Sequence, residues 1–173
     1  GTPTFISHEQ MRALMRVTGE HFQLRTDDSG EYSIEVDPRE ADAETIGVLR
    51  ELGFNRLSLG VQDFDPAVQK AVHREQSEAM VRKLVEHARA LGFVSINTDL
   101  IFGLPLQTLF SFGRTVERIC ELRPDRIALY AYAHLPQRFK PQRRILSADL
   151  PRAADRVQML QGAIEGFLGQ GYR

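Results

Sequence analysis

The sequence predicts an α/β fold of about four βα units with parallel strands, half of an eight-unit (β/α) barrel. Three observations predict it. Four strand-like runs, at residues 33–38, 56–62, 97–105 and 126–134, are separated by helical stretches. Each run meets a polar residue or polar cluster at or just past its C-terminal end, where parallel α/β sheets assemble their sites. The segment Arg50-Glu-Leu-Gly-Phe54 recurs as Arg89-Ala-Leu-Gly-Phe93, each copy ending a helix and leading into a strand. The glycine suits the position just past a helix, where positive φ costs a residue without Cβ nothing. Gly169-Gln-Gly171-Tyr172 repeats the theme more loosely.

The helices follow in order. Ser7-His-Glu-Gln10 has capping-box spacing ahead of Met11, Leu14 and Met15. Ile46, Leu49 and Leu52 recur every third residue, and Met80, Leu84, Val85, Ala88 and Leu91 form the clearest amphipathic stripe. A further helix is expected over 109–122. The last is expected to start near Pro151, a residue suited to the first helical position, and to end near Leu168. The strands carry few charges in their middles, as strands covered by helices do. Alternating elements imply right-handed crossovers and sequential strand order. The polar stretch Arg25-Thr-Asp-Asp-Ser-Gly-Glu31 reads as a turn and as the most mobile part. No linker divides the chain, so residues 1–173 are read as one domain.

Composition excludes several classes. The 173 residues suffice for one core, and 42% apolar with 26% charged residues is ordinary globular usage. A net charge of −1 gives no field that draws nucleic acid or an anionic membrane. No apolar run reaches the roughly 18 residues of a membrane span, and no signal-peptide pattern opens the chain. Cys120 is the only cysteine, so there is no internal disulfide and no cysteine-ligated zinc or iron–sulfur site; it reads as core and fits a reducing cytoplasm. The termini read as cuts within a longer protein, with chain expected before Gly1 and after Arg173.

The candidate site residues come from the strand ends. Gly1-Thr-Pro-Thr4 is either a strand-to-helix turn or a backbone able to approach a ligand. Glu35 sits in the apolar run Ile34-Glu-Val36; it is either one half of an internal salt bridge or an acceptor for a ribose diol or ammonium group. Gln62 follows its strand directly; it is either a loop residue bonding backbone or a source of uncharged donors and acceptors for a neutral or zwitterionic ligand. Arg74 can clamp a carboxylate bidentately or lie solvated. Asp99 lies within a run that otherwise reads as buried, so it is paired or bound to ligand. Glu35, Gln62 and Asp99 are expected to share one rim. His134 is an acid, base, ligand or structural histidine. Arg138, Lys140, Arg143 and Arg144 form a basic run that either draws a polycarboxylate or is simply solvated. Nucleophile elbows, P-loops and paired-histidine metal motifs are absent.

In their order and spacing, Gly1-Thr-Pro-Thr4, Ile34-Glu-Val-Asp-Pro-Arg-Glu40, Asn55-Arg-Leu-Ser-Leu-Gly-Val-Gln-Asp-Phe64, Arg74-Glu-Gln76, Asp99-Leu-Ile-Phe-Gly-Leu-Pro105 and Tyr132-Ala-His-Leu-Pro136 resemble the bacterial oxygen-independent coproporphyrinogen III oxidase (dehydrogenase) family of radical S-adenosylmethionine (SAM) enzymes. The resemblance covers essentially the whole chain and implies a partial, TIM-like (β/α) barrel. It implies a [4Fe-4S] cluster that cleaves SAM to a 5′-deoxyadenosyl radical. Hydrogen abstraction from two propionates, with loss of CO₂, then turns coproporphyrinogen III into protoporphyrinogen IX in haem biosynthesis. Two SAM molecules are implied. By motif match, Glu35 and Ala133 contact the cluster-bound one, and Gly1, Thr2, Gln62, Arg74 and Asp99 contact the second. Arg138, Arg143 and Arg144 are substrate-binding candidates. The resemblance also implies a cytoplasmic, monomeric full-length protein served by a flavodoxin- or ferredoxin-type electron donor.

The family's Cys-x-x-x-Cys-x-x-Cys motif is not in this chain, so residues 1–173 alone are expected to hold no cluster and to be inactive. Two alternatives stand beside this reading. A haem chaperone of the same radical SAM group shares the Gly-Val-Gln segment, but is expected to read Glu-x-Asn-Pro-Gly where this chain has Glu35-Val-Asp-Pro-Arg39 and Gln-Ser at Gln62-Asp63. A non-radical barrel lyase or aldolase needs a strand-end lysine or metal set, and Lys70, Lys83 and Lys140 lie on no predicted strand.

Overall fold

The computed structural model describes residues 2–173. It contains strands β1 (Ser33–Val36), β2 (Arg56–Gln62), β3 (Ser95–Phe102) and β4 (Arg126–Ala131). Its helices are α1 (His8–His21), α2 (Ala43–Glu51), α3 (Pro66–Ala71), α4 (Glu78–Ala90), α5 (Leu109–Leu122) and α6 (Ala153–Gly169). The four strands are parallel and form one sheet in sequential order, β1-β2-β3-β4. Ser33 pairs with Arg56, and the register continues so that Glu35 lies opposite Ser58.

By contact the chain divides into two compact units. One comprises residues 1–61, 78–98 and 125–127; the other comprises 62–77, 99–124 and 128–173.

In the first unit, Ser7 caps α1 with a full capping box, accepting from Gln10 N–H while the Gln10 side chain accepts from Ser7 N–H. Asp42 caps α2 through Thr45 N–H at 2.8 Å. Helices α2 and α4 pack together and bury Ile46, Leu49, Val81 and Val85. The repeated glycine behaves as read. Gly53 (φ +92°) and Gly92 (φ +79°) are left-handed, and Phe54 and Phe93 N–H close each helix end onto Leu49 and Ala88 carbonyls. The polar stretch 25–31 is tied to the rest of its unit by side-chain bonds. Arg50 pairs with Asp28, Tyr32 Oη accepts from Arg25 N–H at 2.7 Å, and Asn55 Nδ2 donates to Gly30 O at 2.8 Å.

In the second unit, α5 carries a capping box at Thr108 and packs on α6, burying Phe112, Ile119, Met159 and Phe167. Helix α6 begins at Ala153, two residues beyond Pro151. Helix α3 is absent from the sequence reading. Asp65 caps it, accepting from Ala67 and Val68 N–H, and Pro66 starts it. Strands β3 and β4 are shorter than the predicted runs to Pro105 and His134. Gly103 turns the chain at φ +83°, and beyond Tyr132 the loop bonds the Gln142 side chain rather than a strand. Cys120 lies half-buried on α5, and burial pushes its thiol up.

Candidate functional site

Strand alternation sorts side chains before any ligand is considered. On β2, Leu57, Leu59 and Val61 are buried, while Ser58 and Gln62 alternate with them and are half-buried. On β3, Ile96, Leu100 and Phe102 are buried, while Asn97 and Ile101 lie on the opposite face, with the buried Asp99 between them. One face of the sheet is therefore a packed apolar core and the other is markedly polar.

The first unit holds the early part of that polar face. Glu35 is half-buried on β1 and stands opposite Ser58, and Ser58 Oγ accepts from Asn97 Nδ2 at 2.8 Å. Glu35 thus heads a row of polar side chains crossing three strands. Thr2 is half-buried at the start of a 3-10 turn over Pro3–Phe5. Gly1 lies outside the described residues.

The second unit holds a cavity of about 320 Å³ that brings together three of the predicted residues, Gln62, Arg74 and Arg144, with His73 and Tyr132. Ile101 and Leu104 give it apolar wall. Its lining carries two guanidinium groups and no carboxylate, so it suits a ligand with a carboxylate and an apolar body. Asp99 belongs to the same unit, two residues before Ile101 on the same strand face.

Gln62 is the most telling residue. It ends β2 in the left-handed region at φ +67°, a conformation that costs a residue with a Cβ energy and clusters at ligand sites. Its amide oxygen is buried with no hydrogen-bond partner among the described residues. An orphaned acceptor in a cavity wall is the mark of a missing donor. Burial also pushes the Tyr132 hydroxyl up, and Tyr132 Oη lies 3.3 Å from His134 Nδ1.

The basic run divides. Gln142 ties the loop after β4, donating to Ala133 O at 3.0 Å and accepting from Leu135 N–H at 2.5 Å. That bond fixes the 3-10 turn Lys140–Arg144, whose last residue lines the cavity. Arg143 is not among the lining residues, and its Nε donates to Pro136 O at 3.1 Å. Arg138 is exposed and also outside the lining. Ala133 is exposed in the same loop.

Sequence reasoning missed the buried residues that hold the cavity's wall in place without lining it. Asp63 is fully buried, with its carboxylate accepting from Gln107 Nε2, Thr115 Oγ1 (2.9 Å) and Asp65 N–H. Burial pushes its carboxyl above the usual range. The buried Gln69 bonds Asp63 O and Gln76 O. The only sequence signal was Asp65-Pro66, which announces a capped helix and so a rigid turn after Gln62.

A larger cavity of about 560 Å³ in the first unit offers less. Its Arg50 guanidinium is consumed by Asp28, by Leu91 O at 3.2 Å and by the face of Phe93. Among the described residues no three His, Cys, Asp or Glu side chains are placed to hold a metal ion.

Residues 1–119 match the model of the Radical SAM superfamily. Over all 173 residues the chain is 57% identical to the oxygen-independent coproporphyrinogen III oxidase of Pseudomonas aeruginosa, covering 38% of that protein. It is 49% identical to the protein of the same name from Salmonella typhimurium, covering 37% of it. The solved coproporphyrinogen III oxidase of Escherichia coli, described as a radical SAM enzyme, superposes on the whole chain with a TM-score of 0.96 at 48% identity, 39% of that structure being covered. The chain thus spans a little over a third of the length of the curated relatives it matches.

Proposed function

The chain belongs to the radical SAM superfamily, and from that premise we propose that it forms the SAM-binding central part of an oxygen-independent coproporphyrinogen III oxidase. The superfamily implies SAM and a [4Fe-4S] cluster. The residues present fit the first and not the second. A cluster needs several thiolates, and Cys120, alone on α5, cannot supply them. The cluster's ligands are therefore assigned outside these 173 residues, and no role in reducing or holding it is assigned within them.

The observation that carries the proposal is the buried amide oxygen of Gln62, left without a donor at a left-handed strand end. The amino acid part of SAM presents an ammonium and a carboxylate. Gln62 Oε1 meets a donor, and Arg74, on the same cavity, meets the carboxylate with a forked pair of N–H groups. Asp99, on the neighbouring strand, offers a carboxylate that balances the charge of a sulfonium or accepts from the hydroxyls of a ribose diol. Ile101 and Leu104 give the apolar body a surface that excludes water. These residues are assigned to the second SAM molecule; in the first unit, Glu35 is assigned the same diol or ammonium chemistry toward the other, cluster-bound one. When bound, SAM supplies the hydrogen-abstracting chemistry of this superfamily. The chain's own part is to fix the orientation of its cofactor and to keep the pocket dry. The proposed whole reaction is the oxidative decarboxylation of two propionates of coproporphyrinogen III to vinyl groups, with Arg138, Arg143 and Arg144 as candidates for holding substrate carboxylates. A one-electron donor protein, a monomeric state and a cytoplasmic setting belong to the same proposal. In keeping with them, no helix among the described residues is long and apolar enough to cross a membrane.

The test is made on the full-length protein with its cluster. Gln62→Ala and Arg74→Ala are each expected to weaken SAM binding roughly tenfold or more, the worth of a lost buried or charge-assisted hydrogen bond, and to depress vinyl formation with it. Glu35→Ala is expected to do the same for the cluster-bound molecule. Unchanged SAM stoichiometry and affinity in all three would overturn the proposal, as would haem transfer without propionate decarboxylation.

A further inference from the structure

The end of β2, the turn after α3 and the end of β3 with the loop that follows it supply part of the cavity wall, the loop after β4 supplying the rest, and all three are tied to one buried residue, Asp63. Asp63 follows Gln62 directly. Its side chain accepts from Gln107 Nε2 at 2.5 Å, and Gln107 Oε1 in turn accepts from Gly103 N–H at 2.5 Å and Leu104 N–H at 3.2 Å. Gln107 Nε2 also donates to Ile101 O at 3.0 Å. Gln107 thereby joins the end of β3 and the loop that follows it, with the cavity residues Ile101 and Leu104, to the loop after β2. On its other side, the Asp63 carbonyl accepts from Gln69 Nε2 at 2.8 Å. Gln69 Nε2 reaches Gln76 O at 2.9 Å, and Gln69 Oε1 accepts from Gln76 N–H at 3.1 Å. This second amide closes the loop 72–76, which carries His73 and Arg74, onto the same anchor. Arg74 N–H adds a bond to Gln69 O at 2.9 Å.

We propose that Gln69 and Gln107 are positioning residues for SAM recognition, a two-amide clamp on Asp63 that sets Gln62, Arg74 and Leu104 around the cavity. The inference rests on the assignment of the cavity made above. Neither glutamine lines the cavity. Both are buried, at 6% and 3% exposure, where an amide lacking partners would be costly, and the four polar functions of these two amides are all engaged. A surface loop in this fold needs no such tether. Both tethers end on Asp63, directly after the left-handed Gln62, and the loops they bind hold two more left-handed residues, His73 (φ +53°) and Leu106 (φ +63°), so they over-determine backbone conformations that carry strain.

The test is equilibrium dialysis of labelled SAM against the full-length, cluster-loaded protein, with thermal denaturation in parallel. The isotherm scored is the one that Gln62→Ala weakens. Gln107→Glu keeps the acceptor for Gly103 and Leu104 but removes the donor to Asp63; it is expected to weaken that isotherm roughly tenfold. Gln69→Glu removes both of its donors and is expected to act in the same direction. Asp63→Asn combined with Gln107→Glu reverses the polarity of the bond, an amide now donating to a carboxylate, and is expected to recover most of the lost affinity. The core variant Ile46→Val, in the first unit, loses stability without touching the clamp and is expected to leave the isotherm unchanged. If Gln107→Glu and Gln69→Glu weaken binding no more than Ile46→Val does, the positioning role is overturned. Should Gln107→Glu not fold, Gln69→Glu decides by the same criterion. If Gln62→Ala itself leaves binding intact, the cavity assignment fails rather than the clamp.

Discussion

The carboxylate of Asp63 and the amide of Gln107, 44 residues apart, meet in a buried hydrogen bond that ties the loop after β2 to the loop after β3. A fully buried acid is held here by three donors, and by no salt bridge among the described residues. Its protonation should therefore be visible in stability.

Burial is the largest influence on the Asp63 carboxyl and pushes it above its ordinary value of 3.8, against the hydrogen bonds that pull the other way. The folded state then binds the proton more tightly than the unfolded one. Asp63's contribution is fully present below pH 3.8 and is lost as pH rises through the raised folded value. Asp63→Asn does not titrate. The stability of the natural protein minus that of Asp63→Asn is therefore expected to fall as pH rises from about 4 and then to level off. Urea unfolding of both proteins across that window checks it; a difference that grew with pH would contradict the account.

Asp42 behaves oppositely. Its carboxylate caps α2, accepting from Thr45 N–H at 2.8 Å and Thr45 Oγ1 at 2.9 Å, and these bonds hold it below 3.8. A lowered carboxyl contributes above the ordinary value and loses that contribution as pH falls through the lowered one. Asp42→Ala is expected to cost about 1 kcal/mol near neutral pH, roughly 2–4 °C in melting temperature for a chain of this size. Asp42→Asn, still a good cap, should cost much less. The difference between Ala and the natural residue is expected to vanish in strong acid.

What the sequence revealed and what it concealed have separate physical causes. The four strands, the amphipathic helices and the glycine ends were legible because each is a local pattern: an apolar run, a stripe, or a residue whose φ must be positive. Gln62 was legible because it interrupts an apolar strand at its end. Gln69 and Gln107 were not, because a glutamine on a short helix or in a loop looks solvent-facing until its partners 6 and 44 residues away are folded around it. The short helix α3 hid for a related reason: six residues are too few to show a period. Arg143 and Arg144 are adjacent in sequence, yet only Arg144 lines the cavity, because a 3-10 turn points neighbours in different directions, and Arg138 precedes that turn.

Gln62 is held left-handed at φ +67°. A residue with a Cβ carries about 1–2 kcal/mol there, whereas glycine carries almost none but loses about 0.5–1 kcal/mol more entropy on folding. Gln62→Gly is therefore expected to leave the melting temperature unchanged or slightly raised while weakening SAM binding roughly tenfold or more. A strained residue whose removal relieves the fold and harms binding is there for the ligand. A marked loss of stability would instead make Gln62 a structural residue.

The three left-handed glycines at the ends of α2, α4 and β3 provide a graded test of why glycine occupies each. A Cβ at Gly53 or Gly92 meets nothing within 4 Å, so Gly53→Ala and Gly92→Ala confront backbone strain alone. The two ends share one hydrogen-bonding pattern, and the costs should be alike, about 1 kcal/mol each. At Gly103 the backbone is also left-handed, at φ +83°, and the added Cβ would lie 2.6 Å from Arg156 Nε. Arg156 cannot simply swing away, because its Nη2 donates to Tyr132 O at 2.8 Å and so holds the loop after β4. Gly103→Ala must strain the backbone and displace that arginine together. It is expected to cost at least about 1 kcal/mol more than the other two, since the buried hydrogen bond to Tyr132 goes with it. Because Tyr132 lines the cavity, Gly103→Ala should also weaken SAM binding, which Gly53→Ala and Gly92→Ala should leave intact. Melting curves and binding isotherms of the three variants, compared side by side, decide it; equal costs at all three glycines would mean that Arg156 yields freely.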